Sequence, residues 1–235
     1  MEPSPVTTLA LGFLLGMGHA LEADHVVAVS TMVSRHRTLR RSSVVGIFWG
    51  LGHTTTLFLV GVAVILFKVR IPDRLALSME FAVGIVLVAL GASVVWGFLG
   101  RRVHAHAHRH GGEIHVHFHS HAAGEEHDHK HPSPNYRRSL LVGMLHGLAG
   151  SAALMLLVLA TIRTPMLGLA YILVFGAGSI LGMLGVSTLL GLPFVLTAKR
   201  FARIHQRIRI AAGAASVAYG VWIMLNVGIG EGLLR

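Results

Sequence analysis

The chain has no cysteine among its 235 residues. Disulfides, zinc–thiolate sites, iron–sulfur clusters and cysteine nucleophiles are therefore excluded. Charge is also scarce. Only 13% of the residues are charged, against roughly a quarter in soluble domains. Acids are the rarer sign, ten Asp and Glu against twenty Lys and Arg. Only Glu22 and Asp24 fall deep inside an apolar stretch, with Glu80 at the edge of another. Neither a Gly-x-x-x-x-Gly-Lys-[Ser/Thr] phosphate loop nor a His-Glu-x-x-His motif occurs. The chain is thus expected not to use ATP itself and not to be an enzyme.

What is abundant is apolar surface, 53% of residues. Six apolar stretches, near 6–33, 44–67, 79–99, 139–160, 167–190 and 210–229, reach the length of about 20 residues that a helix needs to cross a bilayer. In lipid the backbone must satisfy its own hydrogen bonds, so these stretches are expected to be helices. The polar/apolar alternation of barrel strands is absent from them. The expected fold is an all-α polytopic membrane protein with six transmembrane helices. The first stretch has no positive charge before it and contains Glu22 and Asp24, which argues against a cleaved signal.

Fifteen of the twenty basic residues lie in the connections 34–43, 100–138 and 197–209. The positive-inside rule places those connections in the cytoplasm and both termini outside, in a multi-pass cytoplasmic membrane protein. Basic loops beside spans set orientation and touch anionic lipid. The net charge of +10 therefore calls for no nucleic-acid partner.

The chain also repeats itself. Gly-Met-Gly-His-Ala-Leu at 16–21 matches Gly-Met-Leu-His-Gly-Leu at 143–148, an offset of 127. Trp-Gly-Leu-Gly-His-Thr at 49–54 shares its glycines with 175–180, an offset of 126. Gly84 and Gly91 match Gly213 and Gly220, an offset of 129. Each half holds three stretches, an odd number, so repeated halves would lie in the membrane with opposite orientation. The expected organisation is a first three-helix repeat at 1–100, a histidine-rich loop at 101–138 and a second repeat at 139–235. Inverted repeats are characteristic of secondary transporters, whose substrate sites lie near mid-membrane at the repeat interface.

The candidate chemistry sits in the first stretch, at His19, Glu22, Asp24 and His25. Carboxylates in hydrocarbon are costly, and such residues are functional by default. A divalent cation or transferred protons would compensate them. At about 100° per residue, His19, Glu22 and His25 form a stripe while Asp24 points about 140° away from His19. A straight helix cannot aim all four at one ion. Either Asp24 orients a histidine from behind, or the helix unwinds, which Gly16 and Gly18 favour. His53, beside Thr54, Thr55 and Thr56, is a candidate metal ligand from the second stretch, and His146, the repeat counterpart of His19, is another. Ser179 and Ser151 read as close helix contacts. Imidazole and carboxylate without thiolate suit nickel, cobalt, zinc or copper(II).

Eleven of the 17 histidines crowd into 101–138, many of them alternating. Such a tract reads as flexible and metal-binding, able to buffer, deliver or sense an ion.

His-Ala-Leu-Glu-Ala-Asp-His at 19–25 resembles the His-x4-Asp-His signature of the nickel/cobalt transporter family. Residues 50–58 are similar to that family's next helix, and 143–154 resemble its six-span relatives linked to urease. Glu22 stands where classical members carry aspartate, and the second half lacks their acidic motifs. The resemblance implies a permease for Ni2+, with Co2+ as the second candidate ion, without its own ATPase; the expected direction is uptake. It implies that His19, Asp24 and His25 are needed, with His53 in support. No resident cofactor is expected. The partners are the divalent ion, the bilayer and a cytoplasmic metallochaperone as candidate recipient. The competing readings are nickel/cobalt efflux, zinc transport, and a membrane metal sensor or metallochaperone.

Overall fold

A computed structural model describes residues 4–67, 72–99, 104–110, 113–119, 136–148 and 164–234. Its helices are α1 Pro5–His19, α2 Ala23–Val33, α3 Leu39–Phe67, α4 Asp73–Leu99, α5 Tyr136–Gly147, α6 Pro165–Arg200 and α7 Ala202–Leu225. A π-helical turn, Asn226–Gly230, extends α7. Among the described residues α3, α4, α6 and α7 are each long and apolar enough to cross a membrane, and α1 with α2 passes the same test as one bent pair. The helices are consistent with a membrane protein. Of the stretch expected at 139–160, only the part to residue 148 lies within the described residues.

Two expectations are refined. The first stretch is two helices, not one, with a bend of 54° between them. Ser4 caps α1 by accepting from the Thr7 amide at 3.2 Å, and Pro5 occupies its first turn, where the missing N–H costs nothing. Tight bonds from Leu21 N–H to the Gly18 carbonyl and from Glu22 N–H to the His19 carbonyl close α1. Glu22 is then extended, and α2 restarts when Val26 N–H reaches back to the Glu22 carbonyl. Glycines at 16 and 18 weaken the helix just before the break.

The second refinement concerns the histidine-rich stretch. It contains two seven-residue strands, β1 His104–His110 and β2 Glu113–His119, paired antiparallel. The register sets His104 opposite His119, His106 opposite His117 and His108 opposite His115. Alternating histidines have a period of two, which is the period of a strand. The remaining histidines of the tract, at 121, 127, 129 and 131, lie outside the described residues.

In the membrane part α3 and α6 pack against each other, α1 lies on α6, α5 lies on α3, and α4 pairs with α7. Helix α2 touches α4, α6 and α7. Glycines make these approaches close. A Cβ at Gly16 would collide with the Phe175 backbone, and one at Gly143 with the Trp49 backbone. Gly178 lies against Phe13 and Met17, and Gly52 against Leu140 and Met144. Gly84 meets Gly220, and Gly91 meets Gly213. Small residues let backbones approach where lipid supplies no hydrophobic drive, so van der Waals contact holds the helices. Trp49, Leu87, Val29 and Met183 are wholly buried in the larger apolar cluster, and Tyr171 and Ile172 in a smaller one.

Candidate metal centre

At the break between α1 and α2, three of the candidate histidines converge on one point. His19 ends α1 and is 5% exposed; His25, in the first turn of α2, is fully buried. His53, also fully buried, comes in from the middle of α3, because Gly50 and Gly52 let that helix approach α6 and α5. His19 Nε2 and His53 Nε2 are 3.0 Å apart. The His25 ring centroid is 4.6 Å from that of His19 and 5.2 Å from that of His53. Each of the three rings offers a nitrogen within 4.8 Å of those of the other two, a spacing that could hold a metal ion.

The two carboxylates set the ring orientations. His19 Nδ1 lies 2.7 Å from Glu22 Oε1, and His25 Nδ1 lies 2.9 Å from Asp24 Oδ1. An ionised carboxylate only accepts, so each ring donates its Nδ1–H and, when neutral, keeps a lone pair on Nε2. Carboxylate–imidazole pairs of this kind fix the tautomer of metal-binding histidines and raise their basicity. Both explanations considered for Asp24 hold together: the helix unwinds, and Asp24 also orients a histidine. Glu22, expected on the ligand stripe, hydrogen-bonds His19 in the same manner. Glu22, Asp24 and His25 make a second, more exposed group whose potential ligand atoms also lie within 4.8 Å of one another.

Several buried polar atoms of the residues clustered here have no hydrogen-bond partner, His25 Nε2, His53 Nδ1, His146 Nε2 and Trp49 Nε1, and on α6 the buried Ser179 Oγ has none either. Buried polar atoms are almost always satisfied, so such a concentration marks a place built for something other than packing. His146 is fully buried on α5, with its centroid 5.4 Å from that of His25 and 4.6 Å from the Trp49 ring. It is thus beside the three-histidine group without being part of it. Sequence reasoning passed over Trp49 and assigned Ser179 to helix packing. The signal that would have flagged Ser179 is the offset of 126, which pairs it with His53.

At the end of α2, Arg35 donates to Ser93 Oγ at 2.6 Å. Its neighbour His36 is held below the ordinary imidazole value, first by burial and then by Arg41 and Arg35.

The fold and the site together define a helical protein with apolar helices of membrane-spanning length that carries, at a helix break, a buried histidine cluster whose spacing could hold a metal ion. Its sequence is 42% identical to the urease accessory protein UreH of Bacillus sp. (strain TB-90) over 230 residues, 98% of this chain and 96% of that protein. The chain belongs to this UreH family of urease accessory proteins. It is also 24% identical over 222 residues to the chloroplast protein FOR GROWTH AND FERTILITY 2 of Arabidopsis thaliana. That match takes in 94% of this chain but only 57% of the plant protein's length. No family model matches the sequence, and no solved structure matches the fold.

Proposed function

We propose that this protein is a secondary transporter that carries Ni2+, and with it Co2+, across the cytoplasmic membrane into the cell. The observation that carries this reading is the meeting of His19, His25 and His53 at a helix break, with two rings oriented by Glu22 and Asp24. Nitrogen donors in a buried, thiolate-free site favour late first-row divalent ions over magnesium and calcium. Among those ions, accessory service to urease, a nickel enzyme, selects nickel. A broken membrane helix whose break lines a polar site is a recurrent transporter device.

The same reading takes the chain as six spans in two inverted three-helix repeats, joined by the histidine-rich segment. Its support is the pairing of contacts: α1 on α6 with α5 on α3, Gly16 on Phe175 with Gly143 on Trp49, and Gly84–Gly220 with Gly91–Gly213. Termini outside and the histidine hairpin inside follow from the basic connections. The ion enters from the outer side and is liganded by His19, His25 and His53. It leaves inward as the halves rock, and the hairpin passes it to a soluble carrier. The chain catalyses no covalent chemistry.

The test is radioactive nickel accumulation in cells expressing the wild type or His25→Ala at equal membrane levels. Accumulation above empty vector that disappears in the variant is the expected result. Depressed accumulation with wild type, restored by the variant, would mean that the same site runs outward. No difference in either direction would discard nickel transport; zinc flux, and the effect of deleting 104–131, would then decide between a zinc carrier and a sensor.

A further inference from the structure

The correspondence between the halves extends from glycines to polar side chains. Shifts of 127 residues between α1 and α5, and of 126 between α3 and α6, turn the contact of Gly16 with Phe175 into that of Gly143 with Trp49. The same shifts turn the His19–Phe175 ring contact, 5.6 Å, into the His146–Trp49 contact, 4.6 Å. Applied to the hydrogen-bonded pair His19 and His53, they yield His146 and Ser179.

Those two residues share an unusual state. Both are fully buried, and neither His146 Nε2 nor Ser179 Oγ has a hydrogen-bond partner. His146 spends its Nδ1–H on the Val142 carbonyl at 3.1 Å, so its neutral ring presents a lone pair at Nε2. Leaving such atoms unsatisfied in apolar surroundings is costly. An imidazole nitrogen is a good donor to a divalent transition ion, and a neutral hydroxyl oxygen is a weak one. No carboxylate stands behind them in sequence: where the first half has Glu22 and Asp24, the second has Ala149 and Ser151. Without an orienting carboxylate the imidazole is a poorer ligand. The His146 ring also neighbours that of His25, centroid to centroid 5.4 Å.

Resting on the transport reading above, we propose that His146 and Ser179 form a second, weaker position for the translocated ion, the mirrored counterpart of His19 and His53. The ion passes to it from His25 as the halves rock. The tighter position loads the ion, and the weaker one, with no carboxylate bonded to its ring, lets it go.

The test compares equilibrium nickel binding to the purified full-length protein with nickel flux into proteoliposomes, using Ni2+ alone. Ser179→Ala and His146→Gln, both close in size to the native residues, should leave binding unchanged and lower flux by about tenfold, the scale seen when groups supporting a metal site are removed. Ser179→His should hold nickel longer and also slow flux. His146→Gln losing nickel binding as fully as His19→Gln would overturn the proposal, since His146 would then belong to the first position. Wild-type flux in both Ser179→Ala and His146→Gln would overturn it as well. If instead His19→Gln and His53→Gln bind and transport like wild type, the underlying transport site fails, and that result is distinct from either of the others.

Discussion

The two halves of the molecule use similar packing for different chemistry. In the first half the chain reads His19-Ala20-Leu21-Glu22-Ala23-Asp24-His25; at the matching place in the second it reads His146-Gly147-Leu148-Ala149-Gly150-Ser151-Ala152. One histidine is kept and every charge is gone. The glycine contacts are kept too, Gly16 on Phe175 against Gly143 on Trp49. Packing geometry is set by small residues and backbone approach, whereas metal chemistry is set by donors and by what orients them. A duplicated scaffold can therefore retain the first while only one copy develops the second.

The sharpest way to break this contrast is to remove from the first half what the second lacks. His53→Ser gives α3 the residue that α6 carries at the matching position. It should lower nickel affinity about 100-fold, at the upper end of what altered metal sites show, as read by equilibrium binding to purified protein. Retained affinity would mean that His53 is a packing histidine after all.

Next come the carboxylates. Asp24→Asn keeps shape but offers an amide that can donate as well as accept, which frees the His25 tautomer. Affinity should fall by about tenfold to 100-fold, with the fold preserved. Glu22→Gln should act in the same direction through His19. If either variant binds nickel as the wild type does, that carboxylate does not orient its ring, and its cost in the membrane needs another explanation.

A smaller and more symmetric effect is expected from the glycines. Gly16→Ala and Gly143→Ala each force a Cβ into a facing backbone, and each should destabilise the protein by about 1–3 kcal/mol, the usual range for overpacking. Thermal unfolding in detergent measures both. Similar losses would sharpen the equivalence of the two contacts; a loss confined to one would break it. Smallest of all, deletion of 104–131 should slow nickel uptake without abolishing it, since the hairpin stands apart from the buried histidines in sequence and is read as a carrier of ions already moved.

Much of this is legible in the amino-acid sequence. Apolar runs announced the helices because hydropathy is a local property, and His19, Glu22, Asp24 and His25 stood out because acids are so rare in the apolar part. The helix break was legible only as one of two options. Gly16 and Gly18 favour it, but whether α1 continues depends on what the freed backbone and His19 meet, which is α3 and α6. Ser179 was invisible as a polar site because one serine in a glycine-rich helix looks like a packing residue until burial and the absence of a partner are known. The hairpin was missed because alternating histidines also fit a solvated loop.

The sequence by itself determined that the chain is apolar enough to enter a membrane, that no thiolate could serve, and that imidazole and carboxylate were the available donors. These follow from composition and from short-range spacing. Only the tertiary structure decided that His19 and His53, 34 residues apart, bring their Nε2 atoms to 3.0 Å, and that Glu22 and Asp24 stand behind histidine rings. The physical reason is that the contact is set by how closely helices pack. Glycines on several helices fix that approach together, and no single segment encodes it.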